Sequence, residues 1–462
     1  MTAGAAPGST ETTDEELVSV DAPPPTTNPP SAAGSATTTD AIEAANNRFL
    51  RLRDEGRKEE ATAAALQVAT LTQERHGLDS IEIITPLINL AVMQSKIGDV
   101  TAAEQNYRVA IGVIERLEGI FSPRLINPLS GLGHTYNRAG KYEQAIESFE
   151  RALRLNNIQL GFTNFRQFGI HDGLTESYVG LREYEDATFY QRAQVEIHQR
   201  KFGKNSPQVV PSMYKLAEWY SRAGDLESSA LTYRSADRIL RDQESESSAK
   251  RAEAMLGLAR LYERQGNRPA AASTLNRGLE IINSNPEPDR LTRAKVLVAL
   301  GDLYMRDNKR VPALTQYELA WADLSARPDY AAERDEFFEL PVRIAGGPFP
   351  TAMRKAYGSS AATLAEGYVV IRYTVDANGR AQDIAVMESE PGEMLEESLV
   401  KTYNRSRYRP RMADGVAVPT ENLLSKHDFQ YVSAAPEMRD DKKQSSKSRR
   451  GRIDYPGADE ED

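Results

Sequence analysis

The sequence contains no cysteine in 462 residues. That absence excludes disulfide frameworks, thiolate zinc sites, thiol nucleophiles and lipid attachment to an N-terminal cysteine. No stretch reaches the roughly 18 consecutive apolar residues of a membrane-spanning helix. No lysine or arginine precedes Arg48, and the apolar cluster at residues 17–20 is too short for a secretory signal. We therefore expect a soluble chain without an export signal.

Basic residues are outnumbered by acidic ones, and apolar residues are few. The chain has 57 Lys and Arg residues against 67 Asp and Glu residues, for a net charge of -10. This balance repels polyphosphate, so a nucleic-acid partner is not expected. Hydrophobic residues make up 40% of the chain, which indicates that part of it is unfolded or thinly packed. At about 150 residues per domain, the length predicts about three structural units.

The two ends of the chain have biased compositions. Residues 1–40 are rich in Pro, Thr, Ser and Ala and contain no basic residue. Such a segment buries too little apolar surface to offset its ordering entropy, so it is predicted to be a disordered tether. Residues 435–462 contain a run of basic residues followed by an acidic end. We predict a disordered, solvated tail there, with binding to an anionic surface as the alternative.

Between these ends, a pattern recurs every 42 residues. A slot that is usually small is followed three positions later by Tyr, seven positions later by Gly and twelve positions later by Ala. The residues in the first slot are Phe49, Ala91, Gly133, Thr175, Ala217, Ala259 and Gly301. The first two positions share one helix face, the Gly ends that helix, and the Ala begins a second helix packed on the first. The pattern therefore predicts helical hairpins.

These hairpins resemble the tetratricopeptide repeat. The resemblance covers residues 41–325 as seven hairpins, and it rests on the order small residue, aromatic, glycine, alanine and aromatic. The usual period is about 34 residues, so each hairpin is longer by about one turn per helix. Phe49 departs from the small slot, and Arg182 and Asn308 depart from the turn glycine. The resemblance implies a solenoid that binds protein or peptide partners.

A different pattern begins after Pro328. Residues 326–340 are predicted to be a linker, and residues 341–434 a small α+β domain. Alternating apolar residues indicate strands, Asn-Gly is a strong hairpin signal, and an i, i+4, i+8 apolar spacing indicates a helix. The predicted elements are a strand at 369–375, a turn at Asn378-Gly379, a strand at 384–386, a helix at 395–403, a turn segment at 407–415 and a strand at 422–432. The fold class is therefore mainly α, a helical solenoid followed by this small domain.

The small domain is similar to the C-terminal domain of the TonB family. The matching features are Pro348-Phe349-Pro350, Glu366-Gly367, the hairpin around Asn378-Gly379, the segment Arg407 to Pro410 and the last strand with Phe429. The resemblance implies that the last strand receives a short N-terminal segment of an outer-membrane receptor at the sheet edge. Two alternatives remain open. The linker near Phe337 and Phe338 covers this edge, or the edge pairs with a second copy.

Two sets of candidate binding residues follow. The predicted peptide-binding edge is Asn422, Leu423, Leu424, Ser425, Lys426, His427, Asp428, Phe429, Gln430, Tyr431 and Val432. One position after the small slot, mixed polar residues are predicted to line the inner groove of the solenoid, where a peptide could read them. These groove candidates are His134, Glu176, Glu218, Arg260 and Asp302. For the groove, the alternative is an ordinary solvated face.

Catalytic, metal and cofactor sites are not predicted. The chain lacks a phosphate-binding loop of correct spacing, and its five His residues show no paired metal-ligand pattern. Ser-x-x-Lys occurs three times, at Ser212/Lys215, Ser247/Lys250 and Ser398/Lys401, without the companion motifs of an acyl enzyme. We predict a non-enzymatic adaptor tied to TonB-dependent outer-membrane transport, acting in the periplasm. The alternatives are a general repeat scaffold without a transport role and a cytoplasmic location.

Overall fold

The computed structural model describes residues 33–241, 248–351 and 363–433. The chain divides into two compact units, with the boundary between Asn267 and Arg268. Most of the predicted leader and all of the predicted tail lie outside the described residues. The first helix begins at Ala33, within the segment predicted as a leader, because no proline follows Pro30 to stop it.

The first unit is built from helices. They are α1 (Ala33–Asp54), α2 (Lys58–His76), α3 (Ile84–Lys96), α4 (Val100–Glu118), α5 (Ile126–Arg138), α6 (Tyr142–Leu160), α7 (Gln167–Gly180), α8 (Tyr184–Phe202), α9 (Val210–Ala223), α10 (Leu226–Arg241) and α11 (Ser248–Arg264). From α1 to α10, consecutive helices pack as five hairpins, and each hairpin packs on the next. This arrangement confirms the predicted helical-hairpin solenoid.

Small residues let the helices of this unit approach closely. A Cβ added to Gly133 would lie 2.8 Å from the ring of Phe149, which is fully buried in the second helix of the same hairpin. A Cβ added to Gly173, in the next hairpin, would overlap the same ring. The alanines that begin the second helices, such as Ala103 and Ala145, are fully buried. One aromatic side chain therefore packs against two hairpins.

The turn between the two helices of a hairpin requires a left-handed residue. Gly140 supplies it with a φ of 70°. At the equivalent position Arg182 has a φ of 65°, so the turn keeps its shape although the residue is not glycine. Left-handed geometry costs a residue with a Cβ about 1 kcal/mol, which packing of the two helices offsets.

The second unit combines helices with a sheet. Its elements are α12 (Arg268–Asn283), α13 (Arg290–Arg306), α14 (Arg310–Ser325), α15 (Ala331–Phe338), β1 (Val342–Ala345), β2 (Thr363–Val375), β3 (Ala381–Glu390), α16 (Glu396–Arg405), β4 (Arg407–Arg409), β5 (Arg411–Ala413), β6 (Val416–Val418) and β7 (Thr420–Ser433). The predicted order of strand, strand, helix and strand is confirmed by β2, β3, α16 and β7. The segment 407–415, predicted to be a turn, forms β4 and β5, which pair with β1 and β6. These strands are too short for an alternation pattern to reveal.

The main sheet has three antiparallel strands in the order β3-β2-β7. Helix α16 covers one face, and the core between them contains Val369, Ile371, Leu399 and Phe429. Gly379 closes the β2–β3 turn with a φ of 73°, as the Asn-Gly signal predicts. Within the part of the chain that the structure describes, the sheet therefore has one face against a helix and two edge strands.

Residues 326–340, predicted to be a linker, contain a short 3-10 turn at Pro328–Tyr330 followed by α15. Phe338 at the end of α15 is fully buried in a cluster with Tyr317 of α14 and Met412 of β5. Its apolar side chain therefore joins the last hairpin to the small domain within the second unit.

Candidate functional site

Strand β7 pairs with β2 along one side, and its other side is the outer edge of the sheet. Among the described residues, β2 is the only strand that pairs with it. The backbone N–H of Gln430 donates instead to the carbonyl oxygen of Thr351, at 3.2 Å. In an antiparallel strand the N–H and C=O of one residue point to the same side, and this side alternates along the strand. Leu424, Lys426, Asp428 and Gln430 therefore present their backbone groups to the outer edge.

The regular part of this edge begins after Asn422. That residue is left-handed, with a φ of 56°, at the place where the β2–β7 register shifts. From Leu423 onward the register runs without a shift to Ser433. The predicted segment 422–432 therefore lies within β7, with a bulge at its first residue.

Alternate side chains of β7 face α16. The His427 Nε2 atom lies 2.8 Å from the hydroxyl of Tyr403, and its ring centroid lies 4.4 Å from that of Phe349. Burial, together with the positive charge of Arg343, lowers the pKa of His427. Phe429 is buried beside it. These side chains pack β7 against α16. The outer edge of the strand is therefore formed by its backbone groups.

The opposite side chains face away from α16. Leu424 is 67% exposed. The Lys426 ammonium lies 4.6 Å from the ring centroid of Tyr368 and 2.9 Å from the carboxylate of Asp428. The charges of Lys426 and Asp428 therefore compensate each other. Leu424 provides an exposed apolar side chain at the start of the edge.

Three of the five groove candidates belong to exposed positions of the first unit. Glu176 accepts a hydrogen bond from the Asn137 amide at 3.2 Å, while Glu218 and Arg260 both act electrostatically on Tyr233. His134 is half-buried and packs edge-on against Phe149 at 4.9 Å. Asp302 is in the second unit, where its carboxylate accepts a hydrogen bond from the Tyr317 hydroxyl at 2.9 Å. The structure thus leaves Glu176, Glu218 and Arg260 facing solvent.

Family models match both parts of the chain. The tetratricopeptide repeat matches residues 82–157 and 253–277, and the Gram-negative bacterial TonB protein C-terminal domain matches residues 355–429. The chain carries tetratricopeptide repeats and a TonB C-terminal domain. Both resemblances noted in the sequence are thereby confirmed. Together these parts support a protein-interaction scaffold.

Comparisons of whole chains add little to these domain matches. The crystal structure of BtubC (BKLC) from P. vanneervenii is 22% identical, covers 54% of this chain and 94% of its own, and gives a TM-score of 0.36. A kinesin light chain with TPR-like repeats from Podosopora anserina is 18% identical, covers 44% and 97%, and gives a TM-score of 0.34. Scores this low support no functional argument. No curated protein matches the sequence.

Sequence reasoning missed a buried charge that joins the TonB domain to the last hairpin. Arg409 of β4 is 6% exposed, forms an ion pair with Asp302 of α13 at 3.3 Å, and lies 5.4 Å from the ring centroid of Phe337. The Arg306 Nε atom donates to the carbonyl of Ile344 in the same region. In the sequence, Arg409 is one residue of the segment Arg407 to Pro410, which matches the TonB family. No local signal links it to a residue more than 100 positions earlier.

A second polar cluster lies inside the repeats. The Lys215 ammonium bonds both oxygens of Asp172, at 2.6 and 2.5 Å, and the Gln194 side chain bonds both of these residues. Ser212, which precedes Lys215 in a Ser-x-x-Lys string, donates to a backbone carbonyl instead. Lys215 is therefore engaged with Asp172 and positions neighbouring hairpins.

In residues 33–241, 248–351 and 363–433, no helix is both long and apolar enough to cross a bilayer. In the same part of the chain, no group of three His, Asp or Glu side chains is arranged to hold a metal ion.

Proposed function

We propose that this protein is an adaptor whose TonB domain takes up an extended peptide along β7 while its repeats hold another protein. The observation that carries the proposal is the outer edge of β7. The backbone groups of Leu424, Lys426 and Asp428 point there, and no backbone partner from the described residues meets them. An unpaired edge is a template for another strand. In this binding mode, main-chain hydrogen bonds supply affinity and side chains select the register.

We further propose that the peptide comes from a TonB-dependent outer-membrane receptor and that the protein works in the periplasm. The support is the family match of residues 355–429, whose description names a Gram-negative bacterial TonB protein. Transport in this scheme is a task of the receptor, and the present chain would couple that receptor to whatever the repeats bind.

A second candidate function is a general scaffold in which the TonB domain only completes the fold. The burial of Phe338 and Met412 against the last hairpin favours it. Terminal repeats of a solenoid need their apolar face covered, and a packed domain does this as well as a capping helix. In that case β7 receives no peptide, and the location can be cytoplasmic.

The repeats supply the second binding surface of the adaptor. We propose that Glu176, Glu218 and Arg260 contact a bound peptide, because all three are exposed. Their mixed charge suits a partner with both acidic and basic side chains. The alternative remains a solvated face without a partner.

Proline substitution on β7 tests the peptide proposal. The backbone N–H of Asp428 points to the outer edge. Asp428→Pro therefore removes one hydrogen-bond donor to the peptide, while the hydrogen bonds between β2 and β7 remain. We expect Asp428→Pro to weaken binding of labelled peptides from receptor N-terminal segments at least about tenfold, whereas Asp428→Ala binds as the wild type does. Fluorescence anisotropy measures the affinities, and circular dichroism checks the fold. Equal affinities of the two folded variants would contradict the proposal.

A further inference from the structure

One stretch of the chain already occupies part of the β7 edge. The carbonyl oxygen of Thr351 accepts the outward N–H of Gln430 at 3.2 Å. Two residues earlier, the Phe349 ring lies against two aromatic side chains of the domain, with centroid distances of 4.4 Å to His427 and 5.1 Å to Tyr403. Residues 348–351 are therefore placed beside β7 by one backbone bond and one aromatic anchor.

Arg343 fixes this stretch from its other side. Its guanidinium lies 4.0 Å from the centroid of the Phe349 ring. The same guanidinium donates to the carbonyl oxygen of Gly347 at 2.7 Å and to the hydroxyl of Ser406 at 2.9 Å. Because Phe349 contacts a cation as well as the aromatic side chains, truncating its ring removes all of these contacts with the stretch at once.

The outer edge is consequently divided into two parts. Leu424, Lys426 and Asp428 have outward backbone groups without a partner among the described residues, whereas the amide of Gln430 is engaged by Thr351. A peptide that pairs with the first part spans five residues of β7, from Leu424 to Asp428. A longer peptide meets Thr351 before it reaches Gln430.

We propose that residues 348–351 are an internal competitor that sets the length and register of the peptide bound on β7. This inference rests on the proposed function of that edge. With the stretch in place, β7 accepts an extended segment of five residues. When the stretch is displaced, pairing continues past Gln430 and the peptide gains further main-chain hydrogen bonds.

The side chains at the first part of the edge, Leu424 to Asp428, indicate which kind of peptide segment binds there. Lys426 and Asp428 form an ion pair at 2.9 Å, so this surface gives little preference for a charged peptide. Leu424 is largely exposed at one end. The preferred segment is therefore extended, uncharged beside the ion pair, and apolar at the residue that neighbours Leu424. It has no proline where an amide must face β7.

Amide hydrogen exchange on the full chain tests the contact without any peptide. With residue-resolved mass spectrometry, we expect the Gln430 amide to exchange at least about tenfold more slowly than those of Lys426 and Asp428. In Phe349→Ala, Gln430 should exchange as fast as these two, while His427 and Phe429 stay protected by β2. Phe121→Ala, at an exposed position in the repeats, is the matched control. A Gln430 amide that exchanges as fast as Lys426 in the wild type would overturn the inference.

Peptides of two lengths test the competition. The probes are labelled peptides from the N-terminal segments of TonB-dependent receptors of the same organism, each made with five and with nine residues. We expect Phe349→Ala to raise the affinity of the nine-residue forms about three- to tenfold and to leave the five-residue forms unchanged. Phe349→Leu, which keeps part of the anchor, should lie between the wild type and Phe349→Ala.

The outcomes separate this inference from the proposed function. If peptides bind and Phe349→Ala changes both lengths equally, or neither, the internal competitor is wrong while the binding edge stands. If no peptide binds to the wild type or to Phe349→Ala, the proposed function is wrong and this inference is wrong with it.

Discussion

At the scale of single residues, the repeats depend on glycines that make room for aromatic rings. Phe149 packs against Gly133 of its own hairpin and Gly173 of the next one. Tyr107 meets Gly131 in the same way one hairpin earlier. The ring therefore acts as a spacer between hairpins, and the effect of adding one methyl group depends on whether it meets such a ring.

Two glycines of α7 provide a matched test. An added Cβ at Gly173 overlaps the Phe149 ring, whereas one at Gly169 has no atom within 4 Å. We expect Gly173→Ala to lower the free energy of unfolding by ~1–3 kcal/mol through overpacking. Gly169→Ala should raise it by ~0.5–1 kcal/mol, because alanine loses less backbone entropy in a helix. Urea denaturation measures both, and changes of the same sign would show that the ring contact is wrong.

His171 makes the first unit sensitive to acid. The side chain is 4% exposed and lies beside Tyr190. The pKa of His171 is lowered from 6.5 to about 4, chiefly by burial, with Asp172 opposing the shift and Lys215 contributing to it. Between these two pKa values the unfolded chain binds the proton and the folded chain does not. The stability contribution is therefore complete above pH 6.5 and decreases as the pH falls toward 4.

The variant His171→Gln isolates this contribution. Between pH 7 and pH 4.5, the wild type should lose about 2 kcal/mol more unfolding free energy than the variant does. All other titrating groups are common to the two proteins, so their difference reports His171. Urea denaturation at both pH values gives the comparison. Parallel pH dependence of the two proteins would contradict a buried neutral imidazole.

At the scale of elements, the short strand β4 connects the sheet-bearing domain to the last hairpin. Arg409 of β4 pairs with Asp302 of α13, and Met412 of β5 enters the apolar cluster of α14 and α15. The sequence pattern predicts that Asp302 lines a peptide groove. Its carboxylate instead compensates a guanidinium supplied by the TonB domain itself, and that assignment to the groove remains a proposal without support from its contacts.

The Asp302–Arg409 pair should matter more than a surface pair. Asp302→Asn leaves the buried guanidinium without its counter-charge, so we expect a loss of ~3–5 kcal/mol in the unfolding free energy of the second unit. Replacing both residues, as Asp302→Leu with Arg409→Met, should recover part of it. Glu397→Gln, which breaks the exposed pair with Lys401, is the control and should change stability by less than ~1 kcal/mol. Thermal unfolding followed by circular dichroism measures these changes. Equal losses of stability in Asp302→Asn and Glu397→Gln would contradict the prediction.

At the scale of the whole molecule, two interaction modules are carried by one acidic, cysteine-free chain. A net charge of -10 favours solubility and disfavours polyanionic partners. Neither property selects a compartment, since proteins without cysteine occur in both oxidising and reducing surroundings. The proposed binding to an outer-membrane receptor does select a compartment, the periplasm.

We expect the native protein to fractionate with periplasmic markers. The reason is that a receptor segment is accessible to the TonB domain only on that side of the inner membrane. Osmotic-shock fractionation with an antibody against the native protein measures this, and a cytosolic enzyme followed in the same fractions controls for lysis. Recovery of the protein with that cytosolic enzyme would favour the general scaffold instead.

The repeats can be predicted from the sequence, because contacts within a hairpin are local and recur at a fixed spacing that the residues display. The elements β2, β3, α16 and β7 can be predicted as well, since each has a period of its own. The candidate edge was predicted as a stretch of residues, but which of its amides face outward was not, because this depends on the register with β2. The contacts of Asp302 with Arg409, of Gly173 with Phe149 and of Thr351 with Gln430 are visible only in the folded chain. These contacts join residues that are far apart in the chain, and which surfaces meet is decided by the packing of whole elements.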